Sequence, residues 1–171
     1  MKNKTLTAGI IDLKFNNLLS IYKACIQSGL KTTVISDKQK NFNYDFVIIP
    51  GVGAFKSGMK VIKKNKYDEK LFDYLSKSNS FIYGICLGMQ LLFENSYEFG
   101  PTKGLGLIKG NVLALNKKNK SMKTNTGWNK TKFLSINKKN FNKFNGKHFY
   151  FVHSYYAKPK NNEDILAKTY H

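Results

Sequence analysis

From Thr5 to Asp12 the chain reads TLTAGIID, an apolar run of strand length, and the next apolar positions, Leu18, Leu19, Tyr22, Cys25 and Ile26, recur at helical spacing. The first pattern predicts a buried β-strand. The second predicts an amphipathic helix over residues 16–30, which Asn16 or Asn17 can cap and Gly29 can end. KTTVIS (31–36) and YDFVIIP (44–50) supply two β-branched strands, the latter running into the Pro and Gly turn of PGVGAF (50–55). After a lysine-rich stretch, DEKLFDYLSKS (68–78) predicts a helix whose first-turn acids suit the helix dipole. SFIYGI (80–85) predicts a fourth apolar strand and LGMQLLFENS (87–96) a further helix.

Strands and helices in alternation, with the strands apolar throughout, predict an α/β fold whose mostly parallel sheet is flanked by helices on both faces. Beyond GPTKGLG (100–106) the pattern changes. LIKGNVLAL, TKFLSIN and KHFYFVHSYYA read as strands separated by lysine and asparagine loops, which predicts an antiparallel β extension of the same domain. No linker or internal repeat interrupts residues 1–171, so a single domain is expected.

The net charge of +19 first suggests nucleic acid. All 29 basic residues are lysine, however, without one arginine fork, and they are scattered, with loose concentrations only at 116–123 and 137–147. A solvated surface accounts for this pattern, and no nucleic-acid partner is expected. With two cysteines, no signal-peptide pattern and no apolar run of membrane-spanning length, the reading is a cytoplasmic protein with free thiols and no membrane partner.

Candidate chemistry centres on Cys86 in YGICLGMQLLFE (83–94). A strained strand-to-helix elbow needs small residues two positions either side of its nucleophile, which Gly84 and Gly88 supply. Such a turn puts the Cys86 sulfur at a helix N-terminus and aims the Leu87 N–H at a developing oxyanion. A buried strand-end cysteine has the same local pattern, and Gly-x-Cys-x-Gly alone does not separate the two.

The elbow, together with PGVGAF upstream and FVHSYY downstream, resembles the class I glutamine amidotransferases. More narrowly, EFGPTKGLGLIKGNV, TGWN and YFVHSYYA resemble the glutaminase subunit of imidazole glycerol phosphate synthase, of histidine biosynthesis. The resemblance runs from about Thr7 to the last residue. It implies that Cys86 is the catalytic nucleophile, attacking the side-chain amide of glutamine to form a thioester and releasing ammonia to a cyclase or synthase subunit in a heterodimer. It further implies that Val52 and Gly53 complete an oxyanion hole with Leu87, and that Gln90, His153, Ser154 and Tyr155 contact the substrate. Trp128 and Tyr150 would lie at or near the partner interface; core packing is the alternative reading for both, above all for Tyr150, which alternates within an apolar strand. No cofactor or metal is implied.

The family takes its base from a His-Pro-Glu segment near the C-terminus, and no such segment occurs in these 171 residues. His153 belongs to a different motif, His148 reads as a surface residue, and His171 has nothing after it. The domain is therefore expected to be C-terminally incomplete, with turnover by the 171-residue chain lowered by orders of magnitude. Two further departures concern the partner. DLKFNNL (12–18) carries Lys14 and Asn16 where the family has glycines, and TNTGWN has Thr124 and Asn125 where it has Pro-His. Ammonia supply for amidating a bacterial surface sugar, and a non-catalytic scaffold subunit, are the alternative readings.

Overall fold

The computed structural model describes residues 5–14, 17–39, 41–115, 124–134 and 141–170. Asn16, His171 and the lysine cluster at 116–123 lie outside the described residues, as does most of the 137–147 cluster's first half. The chain divides into two compact units, the first comprising residues 1–92 and 103–105 and the second residues 93–102 and 106–171.

The first unit begins with β1 (Thr7–Ile11), α1 (Leu18–Gln27), β2 (Lys31–Ile35) and β3 (Phe46–Ile49). It continues with α2 (Phe55–Lys64), α3 (Tyr67–Leu75), β4 (Phe81–Gly84) and the single turn α4 (Leu87–Gln90). Its four strands run parallel in the order β2-β1-β3-β4. Because side chains alternate across a strand, Ala8, Ile10 and Ile48 face α1 and its buried Cys25, while Ile11, Val47 and Ile49 point the other way and are also buried. Burial on both faces explains the unbroken apolar strands. Asn17 caps α1 by accepting the Ser20 N–H at 3.4 Å, and Gly29 follows the helix with φ of 81°.

The helix α2 corrects the sequence reading, which saw only a lysine-rich stretch. Its buried residues Phe55, Gly58, Met59 and Ile62 are spaced i, i+3, i+4 and i+7, one stripe on an otherwise cationic helix. A second correction concerns LGMQLLFENS: the helix ends after one turn, and Phe93–Ser96 form strand β5. Phe93 pairs with Ile108, a partner no local pattern could disclose.

The second unit contains β5, β7 (Ile108–Ala114), β8 (Asn125–Phe133), β9 (His148–His153), β10 (Tyr155–Pro159) and β11 (Ala167–Thr169), while the two-residue strand β6 (Thr102–Lys103) has its first residue in the second unit and its last in the first. One sheet has the order β10-β7-β5-β6 and the other β11-β8-β9. The β10–β7, β8–β9 and β11–β8 pairs are antiparallel as expected, whereas β5 and β7 run parallel. No helix of the described residues is long and apolar enough to cross a membrane.

Candidate active site

The strand β4 delivers its last residues to Cys86 through a bond from the Ile85 N–H to the Ile49 carbonyl (2.9 Å), which ties the elbow to the end of β3. Cys86 then adopts φ 52° and ψ −113°, a backbone state that an L-residue holds only where the surroundings impose it. Those surroundings are backbone. A Cβ on Gly88 would lie 1.6 Å from the Ile49 carbonyl oxygen, and one on Gly84 would lie 2.5 Å from the Met89 Cα. Both positions of the Gly-x-Cys-x-Gly pattern therefore need glycine for space. Cys86 is exposed, unlike the buried Cys25, so the buried strand-end alternative does not describe it.

Burial pushes the Cys25 thiol above its usual range, partly opposed by a hydrogen bond with Thr32. Cys25 lines a largely apolar groove of about 360 Å³ with Ile21, Leu30, Phe46, Ile48 and Ile85.

The expected oxyanion elements adjoin the elbow. Gly53 has φ of 98°, Val52 is exposed, and a Cβ on Gly51 would approach the Leu87 Cβ to 3.1 Å. The Leu87 N–H donates to the Gly51 carbonyl at 3.3 Å, so it is engaged by the turn itself. Sequence reasoning did not anticipate this bond, because a peptide plane's orientation leaves no mark on residue identity. Gln90, one turn along α4, is half-buried and its N–H bonds back to the Cys86 carbonyl at 3.1 Å.

His153, Ser154 and Tyr155 fall in the second unit, at the turn from β9 to β10. His153 Nδ1 lies 2.9 Å from the Tyr155 carbonyl, which can only accept, so the proton sits on Nδ1. Nε2 then accepts from the Asn125 side-chain amide at 3.3 Å. Both ring nitrogens are thus engaged, an arrangement that orients the ring. Asn125, known from sequence only as a departure from the family pattern, is the buried residue that holds it. Ser154 and Thr124 join their hydroxyls at 2.9 Å.

Trp128 and Tyr150 are directly opposed on β8 and β9, with ring centroids 5.7 Å apart and planes at 68°. They are 69% and 55% exposed, which corrects the core-packing reading of Tyr150. His148, the first residue of β9, is exposed as expected. No group of three or more His, Cys, Asp or Glu that could hold a metal occurs among the described residues.

Comparison with known proteins bears on the same residues. The family model for glutamine amidotransferase class-I matches residues 10–171. Imidazole glycerol phosphate synthase subunit HisH of Caldanaerobacter subterraneus is 44% identical over 155 residues, covering 87% of this chain and 72% of that protein. The subunit of that name from Sulfurimonas denitrificans is 38% identical over 168 residues, covering 95% and 79%. Among solved structures, PurLQS from Thermotoga maritima superimposes with a TM-score of 0.71 at 18% identity, covering 97% of this chain and 75% of that one. A crystal structure of a glutamine amidotransferase gives 0.68 at 13% identity, covering 94% and 79%. These two share the fold. With the α/β architecture, the glycine-flanked elbow and a family match spanning nearly the whole sequence, the chain belongs to the class I glutamine amidotransferases.

Proposed function

We propose that this chain is the glutaminase subunit of an imidazole glycerol phosphate synthase, a cytoplasmic protein that releases ammonia from glutamine at Cys86 and passes it to a cyclase partner in histidine biosynthesis. One observation carries the chemistry: Cys86, exposed, is held at φ 52° between glycines that nothing larger could replace. The relatives named for that synthase, at 38–44% identity, support the pathway.

The Cys86 thiolate adds to the side-chain carbonyl carbon of glutamine, and the carbonyl oxygen takes up the negative charge. The C–N bond then breaks as the nitrogen gains a proton and leaves as ammonia, forming a thioester. Water adds to the thioester, the C–S bond breaks, and glutamate departs while the sulfur recovers its proton. The Leu87 and Gly53 amides would stabilise the oxyanion once the Gly51–Val52 peptide turns its carbonyl away from Leu87. Glycine at position 51 leaves ψ free for such a turn. Gln90, His153, Ser154 and Tyr155 would hold the substrate glutamine. The engaged nitrogens of His153 support a positioning role for it over that of base. Neither His148 nor His153 has a glutamate two positions on, so neither matches the base of the family pattern.

The test is mass-spectrometric mapping after treatment with the diazoketone analogue of glutamine. Cys86 should label at least about tenfold faster than Cys25, since exposure favours the first and burial protects the second. Equal labelling of the two would remove the elbow from the mechanism. Glutamate release by the 171-residue chain should stay close to that of Cys86→Ala; release well above it would show that His153 or another group serves as base.

A further inference from the structure

Asn145 and Gly146 form the one Asn-Gly step in the sequence. They lead from a 3-10 turn at Asn142–Phe144 toward β9, and three hydrogen bonds fix this stretch against β8. The Phe133 N–H donates to Asn145 Oδ1 at 3.0 Å, the Gly146 N–H to the Thr131 carbonyl at 2.8 Å, and the Thr131 N–H to the Lys147 carbonyl at 2.9 Å. Gly146 holds φ of 76°, a state that favours glycine.

The step is chemically active. The backbone nitrogen after an asparagine can attack the side-chain carbonyl carbon, and Gly146 brings no side chain to shield it. Asn145 is exposed, and the N–H that its Oδ1 accepts polarises the carbonyl toward attack. Lys130 and Lys132 line the same cleft of about 460 Å³ as Asn145 and Gly146, and their charges favour both an anionic amide nitrogen and the oxyanion its attack creates. A Cβ on Gly146 would stand 3.4 Å from Lys130 Cε, so the lysine stem runs beside this peptide.

The fold nevertheless withholds the nucleophile. The Gly146 proton is committed to Thr131, and the Asn145 ψ of 128° turns the nitrogen away from the side chain, whereas a five-membered ring closes only with that nitrogen and Cβ nearly eclipsed. Rotating ψ to close the ring swings the planar Asn145–Gly146 peptide and breaks its bond to Thr131. The turn must open first. Aromatic contacts hold it shut: Phe133 of β8 stacks on Phe141 with centroids 5.7 Å apart and meets Phe144 at 6.5 Å.

We infer that Asn145 is a deamidation site gated by this turn, an inference independent of the glutaminase reading. On opening, the Gly146 nitrogen loses its proton and bonds to Cγ of Asn145, and the Cγ–Nδ2 bond breaks as Nδ2 gains a proton and leaves as ammonia. Water then opens the succinimide at either carbonyl, giving aspartate or isoaspartate. Water is the sole reagent consumed. Isoaspartate lengthens the backbone by one methylene, so Gly146 and Lys147 no longer meet Thr131 in the same register. An opening that leads to conversion is thereby recorded in the chain.

The test is peptide mapping by mass spectrometry of the 171-residue chain kept in mildly alkaline buffer, following aspartate and isoaspartate at position 145. Unfolded in guanidinium chloride, the chain should convert Asn145 ahead of every other asparagine, and the folded chain should convert it at least about tenfold more slowly. Phe144→Ala removes one ring of the latch and should speed conversion in the folded chain about fivefold, with Gly146 amide exchange accelerating in step. Phe72→Ala, which truncates a half-exposed ring on α3 in the other unit, should leave the rate within about twofold. Folded wild type converting as fast as unfolded, or another asparagine outpacing Asn145 in the unfolded chain, would overturn the inference, and that comparison stands even if Phe144→Ala does not fold. A folded Phe144→Ala chain that converts no faster than wild type, or a Phe72→Ala chain that accelerates equally, would overturn it too.

Discussion

The two units use apolar residues in opposite ways. Among the described residues, all but three of the buried apolar side chains belong to the first unit, the exceptions being Phe93, Val112 and Phe133. The second unit instead turns Trp128, Tyr150 and Val152 outward, each more than half exposed. The difference matches what the proposed roles would ask of each unit. A residue held at φ 52° persists only if packing over-determines it, and the dry parallel sheet below Cys86 supplies that packing. The proposed recognition would need the reverse, large rings held in place by strand pairing and left uncovered.

Substitutions that separate the two units test this contrast, and the largest effects are expected in the first. Gly88→Ala, which drives a Cβ into the Ile49 carbonyl, should cost about 3 kcal/mol or more in urea unfolding. Gly127→Ala on β8 meets no atom within 4 Å and should cost only about 1–2 kcal/mol, from its φ of 147°. A comparable loss at the two glycines would mean that backbone crowding does not set the elbow. Leu71→Ala, fully buried on α3, should lose about 3 kcal/mol, whereas Tyr150→Ala should lose less than about 0.5 kcal/mol because its ring is half in water. A large loss for Tyr150→Ala would make the outer face structural. Asn125→Ala removes the 3.3 Å bond to His153 Nε2 and should cost about 1–2 kcal/mol in urea unfolding, and an unchanged midpoint would show that this bond does not hold the ring.

The smallest effect is a pH slope. The Cys25 thiol, ordinarily ionising near 9.0, is pushed up by burial, so the unfolded chain loses this proton first and binds fewer protons than the folded chain. Its contribution to stability is complete below about pH 9 and declines as pH rises from there through the folded value. Wild type should therefore lose stability above that pH more steeply than Cys25→Ala, and parallel curves would show that the thiol titrates alike in both states.

Much of the first unit was legible because its strands are local apolar runs and α1 keeps its stripe within ten residues. The helix α2 was equally encoded in Phe55, Gly58, Met59 and Ile62, but its lysines concealed the stripe. By contrast, β5 depends on a partner fifteen residues away, and Leu91-Leu92-Phe93 fits either a helix or a strand until Ile108 is in place. The elbow was legible from its glycines, since backbone crowding restricts residue type. Which side of β9 meets solvent was not: alternation fixes that Tyr150 and Phe151 face opposite ways without saying which is covered.

The strand β4 lies at the end of its sheet in the described residues, and Phe81 and Tyr83 on it are 58% and 62% exposed. A strand edge with free hydrogen-bonding groups and apolar side chains is a template for aggregation. Here the lysines acquire a colloidal role. At a net charge of +19, molecules repel one another before their edges can meet, and that protection weakens as salt shortens the reach of the repulsion. The protein should keep best in dilute buffer and cloud on salting, a handling rule set by the edge of β4.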